Sequence, residues 1–239
     1  MQIEQRRILV TGGSTGIGRA VVGRFLDAGA MVKVAALPGP DMDSLGEMGG
    51  RGQVERLGGD LSDPAFVKEV GIWAGEIDIF VHSAGLARLA PFLEANLQDW
   101  RLMYEVNFLA GLTIAQVLAR SMAARKRGKI ILISSAMADW VNVSAMGYAA
   151  TKHAISAARK GLRLELASYG IQTTEVRPGL VGDTAINTRH RNPSVVADLK
   201  SRPYVPIAAD DIARAVMFVA EVGPGVDIPL IEVKPVGQQ

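Results

Sequence analysis

In the run SAMGYAATKHAIS (residues 144–156) a tyrosine, Tyr148, stands four residues before a lysine, Lys152. The small residues around them read as the opening of a helix, and on a helix positions four apart share one face. A free phenol ionises near pH 10, too high for ready proton exchange at neutral pH. A neighbouring ammonium favours the phenolate and lowers that value, and acid–base groups work best with a pKa near the working pH. The pair therefore reads as proton-transfer machinery for a carbonyl or alcohol oxygen, against the plainer alternative of two exposed residues on a helix. A second stretch with chemistry in it is ILVTGGSTGIGRAV (8–21). Gly12, Gly16 and Gly18 leave the backbone free to turn tightly and approach a ligand. A helix opening at Gly16 points free N–H groups at a pyrophosphate. The alternative is a tight strand-to-helix turn that holds nothing.

The elements that must position these groups follow from the hydrophobic pattern. Short apolar, β-branched runs fall at 7–12, 31–37, 53–59, 77–85, 129–135, 171–179 and 226–233. Between them lie segments with apolar residues at helical spacing, such as 17–29 and 96–128. Strands alternating with about six helices predict an α/β fold of three layers, doubly wound, with a parallel sheet of about seven strands. Continuous apolar strands suit a sheet covered on both faces. The chain reads as a single domain over 1–239. One segment, 179–206, is polar, carries three prolines and breaks the rhythm, and 183–206 reads as a substrate lid.

Composition narrows the function. The 239 residues are 49% hydrophobic and 21% charged, with a net charge of +2, so neither a nucleic acid nor an acidic surface is an expected partner. There is no cysteine, which removes disulfides, thiolate metal sites and cysteine nucleophiles. His82, His153 and His190 lack metal-ligand spacing, and no metal is expected. No signal peptide is visible, and no run of about 18 apolar residues is expected to span a bilayer. The default location is cytoplasmic, and the expected partner is a small molecule.

Taken in order along the chain, these motifs resemble the short-chain dehydrogenase/reductase family, nearly end to end. TGGSTGIG (11–18) resembles its Thr-Gly-x-x-x-Gly-x-Gly motif, GDLSD (59–63) the turn whose acid holds the adenine, and YAATK (148–152) its Tyr-x-x-x-Lys signature. RPGLVGDT (177–184) resembles the Pro-Gly segment beside the nicotinamide, and HSAG (82–85) stands where Asn-Asn-Ala-Gly is usual. The resemblance implies a Rossmann fold and hydride transfer between a nicotinamide cofactor and a hydroxyl or carbonyl. It assigns catalysis to Asn107, Ser135, Tyr148 and Lys152. Ser135 lies thirteen residues before Tyr148, the family's offset, and is preferred to Ser134; adjacent strand residues face opposite ways. Asn107 would bond a backbone carbonyl and help hold a water near the lysine; the lesser alternative is a polar residue on a wet helix face. The cofactor falls to Gly12, Ser14, Thr15, Gly16, Ile17, Gly18, Asp60, Leu61, Ser83, Ala84, Gly85, Pro178, Gly179 and Val181, with Tyr148 and Lys152. The family typically pairs the helices that correspond to 96–125 and 149–168 across a dyad, so the resemblance implies a homo-oligomer, a tetramer or else a dimer.

Two departures stand out. An acid at the end of the second strand marks NAD use, and a nearby arginine NADP use; Ala36 and Leu37 occupy those positions, with Thr15 where some NADP users are basic and Lys33 pointing in no readable direction. The expected cofactor is NADP or NAD, with a slight lean to NADP, because residues 177–184 and 206–238 are similar to the branch of 3-hydroxy acid and serine dehydrogenases. His82 and Ser83 replace two asparagines, and His82 reads as a buried, hydrogen-bonded residue or, alternatively, a catalytic base. Arg189, His190, Arg191 and Arg202 in the lid could clamp a carboxylate or simply be surface charge. A dinucleotide-binding protein without catalysis and an epimerase or dehydratase working through transient oxidation are the rival readings.

Overall fold

The structure is a computed structural model that describes residues 2–182, 184, 193, 196–197 and 201–238. Seven strands form one sheet: β1 (Arg7–Thr11), β2 (Met31–Ala36), β3 (Gln53–Gly58), β4 (Ile79–His82), β5 (Gly128–Ile133), β6 (Ile171–Pro178) and β7 (Leu230–Val233). Their order is β3-β2-β1-β4-β5-β6-β7 and every pairing is parallel. Each expected apolar run overlaps one of these strands, usually trimmed at its ends, and β5 begins one residue before its run.

The layers follow from strand alternation. In β1, Ile8 and Val10 pack on one face with Val22 and Phe25 of α1 (Gly16–Asp27), while Leu9 packs on the other. On that other face lie α2 (Pro64–Ala74), through Phe66 and Val70, and α3 (Leu97–Ala124), through Ile114 and Leu118. With α4 (Met146–Leu166) joining this face through Ile155 and α5 (Ala209–Glu221) lying beside α1, both faces are covered. Burying both faces explains why the central strands read as unbroken apolar runs. The chain builds outward from β1 to β3, then returns to place β4 on the other side of β1. The ends of β1 and β4 thus flank the switch point where doubly wound sheets bind ligands.

Helix α3 corrects one expectation. By length and composition it is apolar enough to cross a membrane, but half of its most apolar stretch is buried within the protein, where it serves as a core helix. Between Leu97–Tyr104 and Ala110–Ala124 it contains a π-helical turn, Glu105–Leu109. The expected lid lies largely outside the described residues, and with it Arg189, His190 and Arg191.

Candidate active site

A cleft of about 550 Å³ opens over the carboxyl ends of the strands. Each residue assigned above to the cofactor lines it, together with Ser135. At one end the chain leaves β1 through Gly12, whose φ of +66° suits glycine. A Cβ there would lie 2.6 Å from the Cα of Ala84, so the glycine turn and the HSAG loop touch. Helix α1 then opens at Gly16, and its N-cap Thr15 makes no side-chain cap bond. The first-turn N–H groups therefore remain available to an anion. Further along, Asp60 accepts from the Ser62 N–H and hydroxyl through one oxygen, at 2.8 Å each, which fixes its exposed carboxylate at the rim. This cradle and turn fit the pyrophosphate and the adenine of a dinucleotide.

At the other end Tyr148 and Lys152 lie on the buried face of α4, with Ala149, Ile155 and Arg159. Burial holds the Tyr148 phenol up at about 12, and a hydrogen bond with Ser135 pulls it partly back. This reverses the expected lowering. Lys152 Nζ stands 5.6 Å from the ring centroid and donates to the Ile133 carbonyl at 3.1 Å. Its charge is therefore not directed at the phenol, and loss of solvation decides the shift. The same burial lowers Lys152 to about 8, against the pull of Glu175. The two serines divide as strand alternation requires. Ser134 donates to Glu175 Oε1 at 2.7 Å, whereas Ser135 bonds Tyr148 and accepts from the Met137 N–H at 3.1 Å.

Asn107 sits in the π turn of α3 and is fully buried, so the wet-face reading fails. Its Oδ1 accepts from the Leu86 N–H at 2.8 Å, while Nδ2 donates to the Leu86 carbonyl and to Thr151 Oγ1, each at 3.0 Å. Asn107 thereby joins the loop after β4 to the helix that carries Tyr148 and Lys152.

Residues 6–194 match the family model described as short chain dehydrogenase. The chain belongs to the short-chain dehydrogenase family. It is an oxidoreductase. It is 34% identical over 206 residues to a short chain dehydrogenase of Pseudocercospora fijiensis, covering 80% of this chain and 67% of that protein. It is 28% identical over 239 residues to the NADP-dependent 3-hydroxy acid dehydrogenase YdfG of Escherichia coli K12, covering 97% and 95%. Among solved structures, the closed form of serine dehydrogenase complexed with NADP+ superposes with a TM-score of 0.87 at 27% identity, covering 97% and 96%.

This short-chain dehydrogenase resolves its two departures differently. His82 is buried, with Nδ1 2.8 Å from Thr11 Oγ1 and Nε2 3.2 Å from the Asn107 carbonyl oxygen. A carbonyl can only accept, so Nε2 carries the proton and Nδ1 accepts from the threonine. Burial lowers the ring to about 4, leaving it neutral. His82 thus ties β1 to the π turn, and both of its nitrogens are engaged. The ring also needs room: a Cβ at Gly111 would lie 2.5 Å from His82 Cδ2. Ser83 lines the cleft, and its N–H donates to the Thr11 carbonyl at 3.2 Å.

At the end of β2, buried Ala36 and exposed Leu37 both line the cleft. Lys33 points away from it, donating to the Trp73 carbonyl at 3.0 Å and lying over that indole. Arg202 lines the cleft, as do Arg88, Trp140 and Gln238. Those three went unnoticed in the sequence, since no motif or period marks them. Glu175 and Arg177, 0% and 4% exposed, were also missed inside a run read only as a strand.

Proposed function

We propose that this enzyme interconverts a hydroxyl and a carbonyl on a small substrate with NADP(H), or less favourably NAD(H). When bound, the nicotinamide cofactor supplies or accepts the hydride. Tyr148 is the general acid–base group and holds its proton at neutral pH. Ser135 bonds the substrate oxygen and sets it against Tyr148. Lys152 holds the nicotinamide ribose hydroxyls, and Asn107 fixes the loop beside it. The reading rests on one observation: Ser135, Tyr148 and Lys152 converge at one end of a cleft whose other end is the glycine turn. The names of NADP-dependent 3-hydroxy acid dehydrogenase and L-xylulose reductase relatives support NADP and a hydroxy acid or sugar-like substrate. The enzyme works in the cytoplasm as a tetramer or else a dimer. No feature among the described residues favours a non-catalytic dinucleotide-binding protein.

Separate titrations with NADPH and NADH, followed by tryptophan quenching, test the reading. NADPH is expected to saturate at the lower concentration, with turnover of small hydroxy acids, sugars or ketones. Failure of both to bind at submillimolar concentration would refute it.

A further inference from the structure

The segment Pro178–Val181 lines the cleft just past the sheet edge, and its backbone needs partners there. The last register pair of β6 and β7 joins Pro178 to Val233, and the Gly179 N–H still reaches the Val233 carbonyl at 2.8 Å. The ladder then stops, which leaves the Leu180 N–H without a strand carbonyl. Beyond β7 the chain turns back, with the Gln238 N–H donating to the Pro235 carbonyl at 3.1 Å. The Gln238 side chain folds across the end of β6, and its Oε1 accepts from the Leu180 N–H at 2.8 Å. Only the amide oxygen can face an N–H, so the assignment of the two amide atoms follows from chemistry. The side chain thus supplies the Leu180 N–H with an acceptor that no strand carbonyl provides. It fits closely: a Cβ at Gly179 would lie 2.4 Å from Gln238 Oε1 and 2.8 Å from Pro235 Cδ. On its other side the segment is held by residue 207, with Ile207 N–H donating to the Leu180 carbonyl and Gly182 N–H to the Ile207 carbonyl, each at 3.0 Å. Gln238 itself lines the cleft.

We propose that Gln238 is a positioning residue of this enzyme, which clamps Leu180 so that Pro178–Val181 forms the wall of the nicotinamide end of the cleft. The proposal rests on the dinucleotide reading above. It also gives Gly179 a purpose besides nearness to a cofactor, because glycine lets the turn after β7 close onto the strand end.

Calorimetric titration of purified wild-type protein, Gln238→Leu and Gln238→Glu tests it, with NADPH and 2′-phospho-ADP-ribose as ligands. The second ligand lacks only the nicotinamide ring and reports the rest of the dinucleotide. Gln238→Leu keeps the bulk and loses the acceptor, and is expected to weaken NADPH binding about tenfold while leaving 2′-phospho-ADP-ribose within about twofold. Gln238→Glu keeps an oxygen for Leu180 and is expected to stay within about threefold of wild type for NADPH. Unchanged NADPH affinity in Gln238→Leu, equal loss of both ligands, or equal loss in both variants would overturn the proposal. A wild type that binds neither ligand would instead overturn the dinucleotide reading, and the clamp with it.

Discussion

Tyr148 shows how far a spacing rule reaches. The separation of four correctly implied a shared helix face with Lys152, but not the environment of that face. Burial outweighs the hydrogen bond with Ser135 and holds the phenol at about 12, so Tyr148 keeps its proton at neutral pH, as the proposed role of proton donor in carbonyl reduction requires. Tyr148→Phe is expected to lower kcat by about 10²- to 10⁴-fold, the range for a positioned acid–base group, with NADPH affinity within about twofold by titration. A variant retaining more than about a tenth of the rate would remove Tyr148 from that role. His82 makes a second prediction, about acid stability. Its folded pKa of about 4 lies below the ordinary histidine value of 6.5. Between those pH values the unfolded chain binds a proton that the folded chain does not, so stability is intact above pH 6.5 and falls as pH drops toward 4. The slope from this group is at most about 1.4 kcal/mol per pH unit. Urea denaturation of wild type and His82→Asn from pH 7 to pH 4.5 checks it. Wild type is expected to lose more stability than the variant over that range, and parallel losses would exclude the histidine as a cause.

Among the elements, the seven strands were legible because period and β-branching report burial directly. The π turn of α3 was not legible, since an extra residue in one turn leaves no mark on the apolar pattern. Asn107 was named from the family motif, and only the structure shows it bonded to Leu86 and Thr151. The charged pair on β6 was equally hidden. Glu175 Oε1 accepts from Arg177 Nε at 2.6 Å and from Ser134, while Oε2 lies 3.7 Å from Arg159 Nε. Arg177 in turn donates to Ser156 at 2.7 Å and pairs with Asp139, in the loop after Ser135. Partners from β6, α4 and the loop after β5 cannot be matched from sequence alone. This network braces the strand end behind Ser135. Glu175→Gln leaves two buried guanidinium groups short of a counter-charge and is expected to cost about 3 kcal/mol in urea unfolding. Arg24, paired with Asp210 on the surface at 2.6 Å, provides the contrast; Arg24→Ala is expected to cost about 1 kcal/mol or less. Equal costs would mean that the buried network carries no special weight.

The whole molecule adds a question that a single chain poses through its surface. The outer face of α4 carries His153, Ala157, Lys160 and Leu164, all exposed, at the three- and four-residue spacing of one helical stripe. Leu164 is 78% exposed and Tyr169 just beyond it 50%, while α3 exposes Leu97 and Tyr104 at 56% and 43%. Scattered exposed apolar residues are ordinary, but here two long neighbouring helices both carry them, and small residues on α4 allow another helix to come close. Burying such faces against a symmetry-related copy is the common solution. The protein is therefore expected to run in sedimentation velocity at two or four times its chain mass of 25.4 kDa. Leu164→Glu places a charge at the apolar end of the stripe. A buried, unpaired carboxylate is costly, so this variant is expected to shift toward the monomer and weaken self-association by about 100-fold or more. Because Leu164 is exposed within the chain, its replacement should leave the thermal unfolding of an isolated subunit nearly unchanged. A Leu164→Glu protein that sediments as wild type does would place the contact between copies on another face, with the sheet edge at β7 the next surface to vary.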